Sequence, residues 1–202
     1  MREYIRFSRN RRLHRMIAEL LDLVDVVLIL LFLLVLLYTY VLDHAQVQGS
    51  SMNPTLAEGD RLLTLRLYDE PSNGDIVIID AQEATVFKED DSLYTTTGLE
   101  KIIVKRVIAC GEQTVDIDFE QGIVYVDDEP LTEDYVSALT TTPRSGGFDY
   151  PITIPEGYVF VLGDNRPVSK DSRYPDVGLV HESAIIGKVL LRTSPLSDFG
   201  LV

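Results

Sequence analysis

From Val26 to Leu42 the chain runs for 17 residues without a charge, VVLILLFLLVLLYTYVL, and any fold it adopts must keep that run out of water. At 1.5 Å per residue 17 residues make a helix of about 25 Å, which approaches the ~30 Å hydrocarbon core of a bilayer once Leu21, Leu23 and Val24 are added. Three readings compete: a membrane anchor, a cleaved secretory signal and a buried core helix. The run is longer than the ~7–15 residues of a signal's apolar region, and a long basic stretch precedes it. No small-x-small cleavage pattern follows it before Asp43. The anchor is the preferred reading, with 1–25 as a basic tail, 26–42 as the transmembrane helix and 43–202 as the folded remainder.

Charge gives this anchor a direction. Residues 1–15 carry six arginines (Arg2, Arg6, Arg9, Arg11, Arg12 and Arg15) against Glu3, whereas residues 43–202 hold 12 basic and 28 acidic residues. Basic residues before a span place that end in the cytoplasm, so the acidic part is expected on the outer face of a single-pass cell-membrane protein. Tyr38 and Tyr40 fall near the outer end of the run, where amphipathic rings favour the interface. A net charge of −14 argues against a nucleic-acid partner, which needs a basic face to neutralise phosphates. One cysteine, Cys110, cannot close an intramolecular disulfide, and three histidines do not supply zinc-ligand spacing, so no metal is expected.

Past Asp43 the pattern is that of strands. Short runs rich in β-branched residues (RLLTLRL, DIVIID, KIIVKRVIA, TVDI, GIVYVDD, YVFVLG and AIIGKVLLR) are separated by turn signals such as Gly59-Asp60, Gly74-Asp75 and Pro155-Glu-Gly157. No ten-residue helical pattern occurs beyond residue 45. The expected fold is mainly β, with one N-terminal transmembrane helix. Residues 81–100, with Glu83, Glu89, Asp90 and Asp91, and residues 137–150, with Arg144, Ser145, Gly146 and Gly147, read as solvated loops.

Chemistry must then come from few residues. His14 and His44 flank the apolar run, which leaves His181 as the one candidate base for a serine triad, and no Gly-x-Ser-x-Gly elbow occurs. Lys105 interrupts an apolar run, Ile102, Ile103, Val104 and then Val107, Ile108, of the kind that forms a strand covered on both faces. An ammonium buried there either pairs with a carboxylate, snorkels outward, or gives up its proton and becomes a base. Ser50 and Ser51 lie in VQGSSMNPTLAEGD, at most about 30 Å of extended chain beyond the apolar run. The segment GDNRPVSKDSR, 163–173, follows the strand YVFVL and forms either a salt-bridged turn or a hydrogen-bond network around a buried group.

Taken together, VQGSSMNPTLAEGD (47–60), GDIVIID (74–80), KRVIA (105–109) and GDNRPVSKDSR (163–173), in this order behind an anchor, resemble bacterial type I signal peptidase. That family consists of membrane-bound serine proteases that remove signal peptides from exported proteins. The resemblance implies an antiparallel β-sheet catalytic domain of the signal-peptidase type. It also implies Ser51 as nucleophile and Lys105 as general base, with Ser169 hydrogen-bonded to that lysine and Asp171 and Arg173 forming a supporting salt bridge. Gly49 stands where some members carry a serine that donates to the oxyanion. Val47, Met52, Leu56 and Val104 are implied to line pockets for small side chains, and cleavage is expected after Ala-x-Ala. The implied partners are the signal peptides of exported preproteins and the lipid bilayer, and no cofactor is implied. One departure is local: the family often continues from Lys-Arg into Gly-x-Pro-Gly-Asp, where this chain has Ala109, Cys110, Gly111, Glu112 and Gln113. Two rivals remain, a Ser-Lys self-cleaving regulator of related fold and a membrane-tethered β-domain that binds exported peptides without cutting them.

Overall fold

The computed structural model describes the chain except residues 1, 69, 89, 91 and 142–146, and describes side chains from His14 onward. The side chains of Arg2, Arg6, Arg9, Arg11 and Arg12, and Arg144, Ser145 and Gly146, therefore lie outside the described residues. The chain divides into two units, 1–42 and 43–202.

The first unit is one helix, α1 (Arg2–Tyr40), of 39 residues. Its stretch His14–Tyr40 is long and apolar enough to cross a membrane, and none of its most apolar window is buried against protein. Arg15 and Glu19 pair one turn apart at its exposed start. The helix ends at Tyr40, two residues before the end of the uncharged run, because Val41 makes its last backbone bond, to Leu37, and Leu42 already opens a strand.

Beyond the helix the chain is built from strands β1 (Leu42–Gln46), β2 (Arg61–Leu65), β3 (Ile76–Asp80), β4 (Glu83–Phe87), β5 (Leu93–Thr97), β6 (Ile102–Ala109), β7 (Thr114–Asp118) and β8 (Ile123–Val126). It continues with β9 (Glu129–Pro130), β10 (Ile152–Thr153), β11 (Tyr158–Leu162), β12 (Val180–His181), β13 (Ile185–Ser194) and β14 (Gly200–Leu201). The main sheet has the order β1-β2-β13-β3-β6-β11-β12, with β14 beside β13; a second has the order β10-β7-β8-β9, and β4 and β5 form a hairpin. The seven runs with β-branched residues all became strands, β2, β3, β6, β7, β8, β11 and β13.

Residues 81–100 are not a loop as expected. Thr85 pairs with Thr95 and Val86 with Tyr94, so the segment is a hairpin whose short apolar alternation the acids of the sequence obscured; Glu89 and Asp91 themselves lie outside the described residues. Nor is 137–150 simply solvated: Phe148 and Tyr150 pack on the core, and Thr140 is buried.

Strand β6 is apolar because each part of it meets a different cluster. Ile108 and Ala109 join the second sheet around Phe160, Leu162, Val124 and Ile154. Ile103 and Val107 pack with Val77, Ile79 and Val161, and Val104 packs against Met52, Leu56 and Leu62. A strand covered in this way offers a side chain in its middle little access to water, and Lys105 is 3% exposed.

Candidate active site

The loop 47–60 and the segment 163–173 are far apart in sequence and adjacent in space. Asn165 joins them twice: its side-chain nitrogen donates to the Ser50 carbonyl at 2.9 Å, and its backbone N–H to the Ser51 carbonyl at 3.0 Å. The Thr55 hydroxyl donates to Asp164. Within the loop, Asn53 N–H bonds Ser50 O and Leu56 N–H bonds Met52 O. These bonds hold Ser51 at the edge of a cleft of about 700 Å³ lined by Gly49, Ser50, Ser51, Ile78, Ile102, Ile103, Val104, Lys105, Val168 and Ile186, among others.

Nζ of Lys105 lies 2.9 Å from Oγ of Ser51 and donates to the Val104 carbonyl at 2.7 Å. The sequence left open whether this lysine finds a carboxylate. Both carboxylates whose charge acts on it are taken by arginines. Asp164 binds Arg106 through two bonds of 2.9 and 2.6 Å, and that guanidinium also stacks 3.9 Å over the Tyr135 ring. Asp171 binds Arg173 at 2.8 and 2.9 Å with both side chains fully buried. Lys105 makes no salt bridge among the described residues. Burial therefore dominates and pushes its pKa down to about 8, with Lys101 adding to the shift and Asp171 and Asp164 opposing it.

Segment 163–173 is a network rather than a surface turn. Asp171 also accepts from the Gly163 N–H, Arg173 donates to the Arg166 carbonyl, and Arg166 reaches Glu133 and Thr140. Ser169 corrects one expectation. Its hydroxyl is fully buried but has no hydrogen-bond partner among the described residues, so the implied bond to Lys105 is absent. It packs instead against Gly163, where an added Cβ would stand 2.2 Å from Ser169 Oγ and 2.5 Å from the Ser51 carbonyl.

The pocket residues need a second correction. Val104 lines the cleft, but Val47, Met52 and Leu56 are 4%, 1% and 0% exposed and belong to the apolar cluster that supports the loop. The loop turns these large apolar side chains inward, so nearness in sequence to Ser51 did not place them in the cleft. Gly49 does line it, at φ +81°, and a Cβ there would meet nothing within 4 Å. Sequence reasoning gave no roles to Asn165, Asp164, Arg106 and Thr55. All four lie within the motifs above, but their roles are pairings across 58 to 115 residues.

The other candidates lie apart from this chemistry. His181 bonds Ser183 at 2.7 Å. Cys110 is half-buried, donates to the Pro71 carbonyl, and has its thiol pushed up to about 11, first by burial. The departing sequence after Ala109 still makes a turn, closed by Gln113 N–H to Cys110 O.

A serine beside a buried lysine, in a cleft along the sheet, is the equipment of a serine endopeptidase. A family model described as "Signal peptidase, peptidase S26" matches residues 20–194. A probable signal peptidase I-1 of Synechocystis sp. is 34% identical over 165 residues, 80% of this chain and 76% of the relative. A signal peptidase I of Bacillus licheniformis is 34% identical over 149 residues, 70% of each. A solved signal peptidase I from Enterococcus faecalis is 26% identical, covering 59% of this chain and 96% of its own, with a TM-score of 0.41. The chain belongs to the signal peptidase family, and it is a serine endopeptidase.

Proposed function

We propose that this protein removes signal peptides from exported preproteins by cutting after small residues of the Ala-x-Ala type, with Ser51 as nucleophile and Lys105 as general base. The observation that carries this reading is the 2.9 Å approach of a buried, carboxylate-free lysine to a serine hydroxyl. With a pKa of about 8, roughly one lysine in ten is neutral at pH 7, against about one in 2,500 for an unperturbed lysine. The Val104 carbonyl takes one N–H of the neutral amine and turns its lone pair toward Ser51 Oγ.

Lys105 accepts the hydroxyl proton, and Ser51 Oγ attacks the scissile carbonyl. The Ser51 backbone N–H donates to the oxyanion, and Lys105 returns its proton to the leaving amine. A water deprotonated by the same lysine then releases the acyl group. Substrate lies extended, so alternate side chains enter the cleft between Val104, Ile78, Ile103 and Ile186, where branched walls leave room for small groups. Asp171, Arg173 and Ser169 hold the surrounding structure. Helix α1 anchors the enzyme with its basic end in the cytoplasm and residues 43–202 outside, next to membrane-held substrates.

The test is cleavage of a purified preprotein carrying an Ala-x-Ala site by the full chain in detergent, with the new N-terminus read by mass spectrometry. Wild type cuts at that site, and Ser51→Ala and Lys105→Ala each lose about 10³-fold or more while remaining folded. A wild type that binds several preproteins and cuts none makes this a tethered peptide-binding β-domain instead.

A further inference from the structure

The nucleophile loop is gripped from a second side, by a residue that none of the quoted motifs contains. Arg192 lies on β13, opposite Leu62 of β2 and Gly200 of β14. Its Nη1 donates to the Thr55 carbonyl and to the Asp60 carboxylate, both at 3.1 Å, and its Nε donates to the Asp198 carbonyl at 2.8 Å. Asp60 is the residue that closes the loop. Its carboxylate accepts from Ala57 N–H at 2.9 Å, its own N–H bonds Ala57 O, and its carbonyl accepts from Val47 N–H. Asp60 is 4% exposed, so its charge needs this cation. Thr55, four residues past Ser51, is thus held at both ends: the hydroxyl by Asp164 and the carbonyl by Arg192.

We propose that Arg192 is a positioning residue for Ser51, fixing the loop against β13 while Asp198 fixes the guanidinium. The proposal rests on Ser51 being the nucleophile. The three acceptors are spread over two nitrogens of the fork, Nε and Nη1, and an ammonium offers its donors from a single point, so lysine replaces it in part. A reacting oxygen must be placed to within a fraction of an ångström, and a misplacement of 1 Å transmitted from a remote residue costs about 10²-fold in rate.

The experiment uses the full chain in detergent micelles, as wild type, Arg192→Lys and Arg192→Ala. Two quantities are read: kcat and KM on a preprotein, well below the melting temperature, and amide hydrogen exchange without substrate. Arg192→Ala is expected to lower kcat about 10- to 100-fold with KM within about twofold, and Arg192→Lys to recover part of it. The amides of Leu56, Ala57 and Gly59 exchange faster in Arg192→Ala, while those of Ile103 and Val107 on β6 keep their protection. An unchanged kcat, or loop and β6 amides loosening together with kcat following the folded fraction, overturns the proposal. A wild type that cuts no preprotein overturns the reading of Ser51, and the proposal with it, whatever the exchange rates show.

Discussion

Strands β6 and β11 carry two buried regions of opposite chemistry. One is the apolar cluster shared with the second sheet, where Ile108, Phe160 and Leu162 meet Val115, Ile117, Val124 and Ile154. The other is the segment 163–173, where Asp164, Arg166, Ser169, Asp171, Ser172 and Arg173 are at most 1% exposed. The apolar region is held by area removed from water, which is non-directional and tolerates small shifts. The polar region is held by directional bonds, which fix positions but punish any group left unpaired. The lysine beside Ser51 belongs to the second kind of surrounding and is left without a carboxylate. Occupying both acids with arginines is what leaves this buried lysine without a salt bridge.

The largest effect expected from this contrast is on catalysis. Lys105→Arg keeps the charge on a somewhat longer side chain, but a guanidinium does not deprotonate near neutral pH. The proposed base disappears, and kcat/KM on a preprotein should fall by about 10³-fold or more with circular dichroism unchanged. Retention of a tenth of the activity would show that the contrast between base and ion pair is wrong. Phe160→Ala strikes the other region. It should destabilise the fold by about 3–5 kcal/mol in a denaturant melt, while activity per folded molecule stays within about twofold. A large loss of kcat in molecules that remain folded would mean that the two regions are mechanically one.

The two regions were not equally legible in the sequence. Strands with apolar alternation declared themselves, since burial of Val124 or Ile117 follows from local pattern alone. The β4–β5 hairpin did not, because the acids in the sequence of 81–100 outweighed its five-residue alternations. In the site, Ser51 and Lys105 stood out by residue type and motif. The fate of Lys105 could not be read, because it depends on Arg106 and Arg173 claiming Asp164 and Asp171. The burial of Met52 and Leu56, and the missing partner of Ser169, likewise depend on which way a side chain turns once distant segments meet.

Lys105 should also mark itself in the pH dependence of stability. Its pKa is about 8 in the folded chain against 10.5 in the open one, so the unfolded state binds more protons between those values. Stability therefore rises with pH across that window, and the full burial penalty is present below about pH 8. Lys105→Met removes the charge while keeping an unbranched chain. At pH 7 it should be more stable than wild type, by on the order of 3 kcal/mol, and the gap should close between pH 8 and 10.5. Wild-type cleavage should rise with pH and level off above about pH 8. A Lys105→Met variant less stable than wild type at pH 7 would mean that the lysine is held as a paired cation after all.

Gly163→Ala tests whether the polar region positions Ser51 by contact. The position is not held at positive φ, so alanine brings no backbone strain and its effect is steric. The new Cβ would stand 2.2 and 2.6 Å from Oγ and Cβ of Ser169 and 2.5 Å from the Ser51 carbonyl. Rotating Ser169 clears its hydroxyl but not its Cβ, so the backbone at Ser51 has to yield. Overpacking of this kind destabilises by about 1–3 kcal/mol, and displacing Ser51 should lower kcat about 10²-fold. Adding Ser169→Gly removes two of the three clashes and leaves the one with Ser51. The double variant should therefore regain much of the stability and little of the rate. Recovery of both together would place the sensitivity in Ser169 rather than in the position of Ser51.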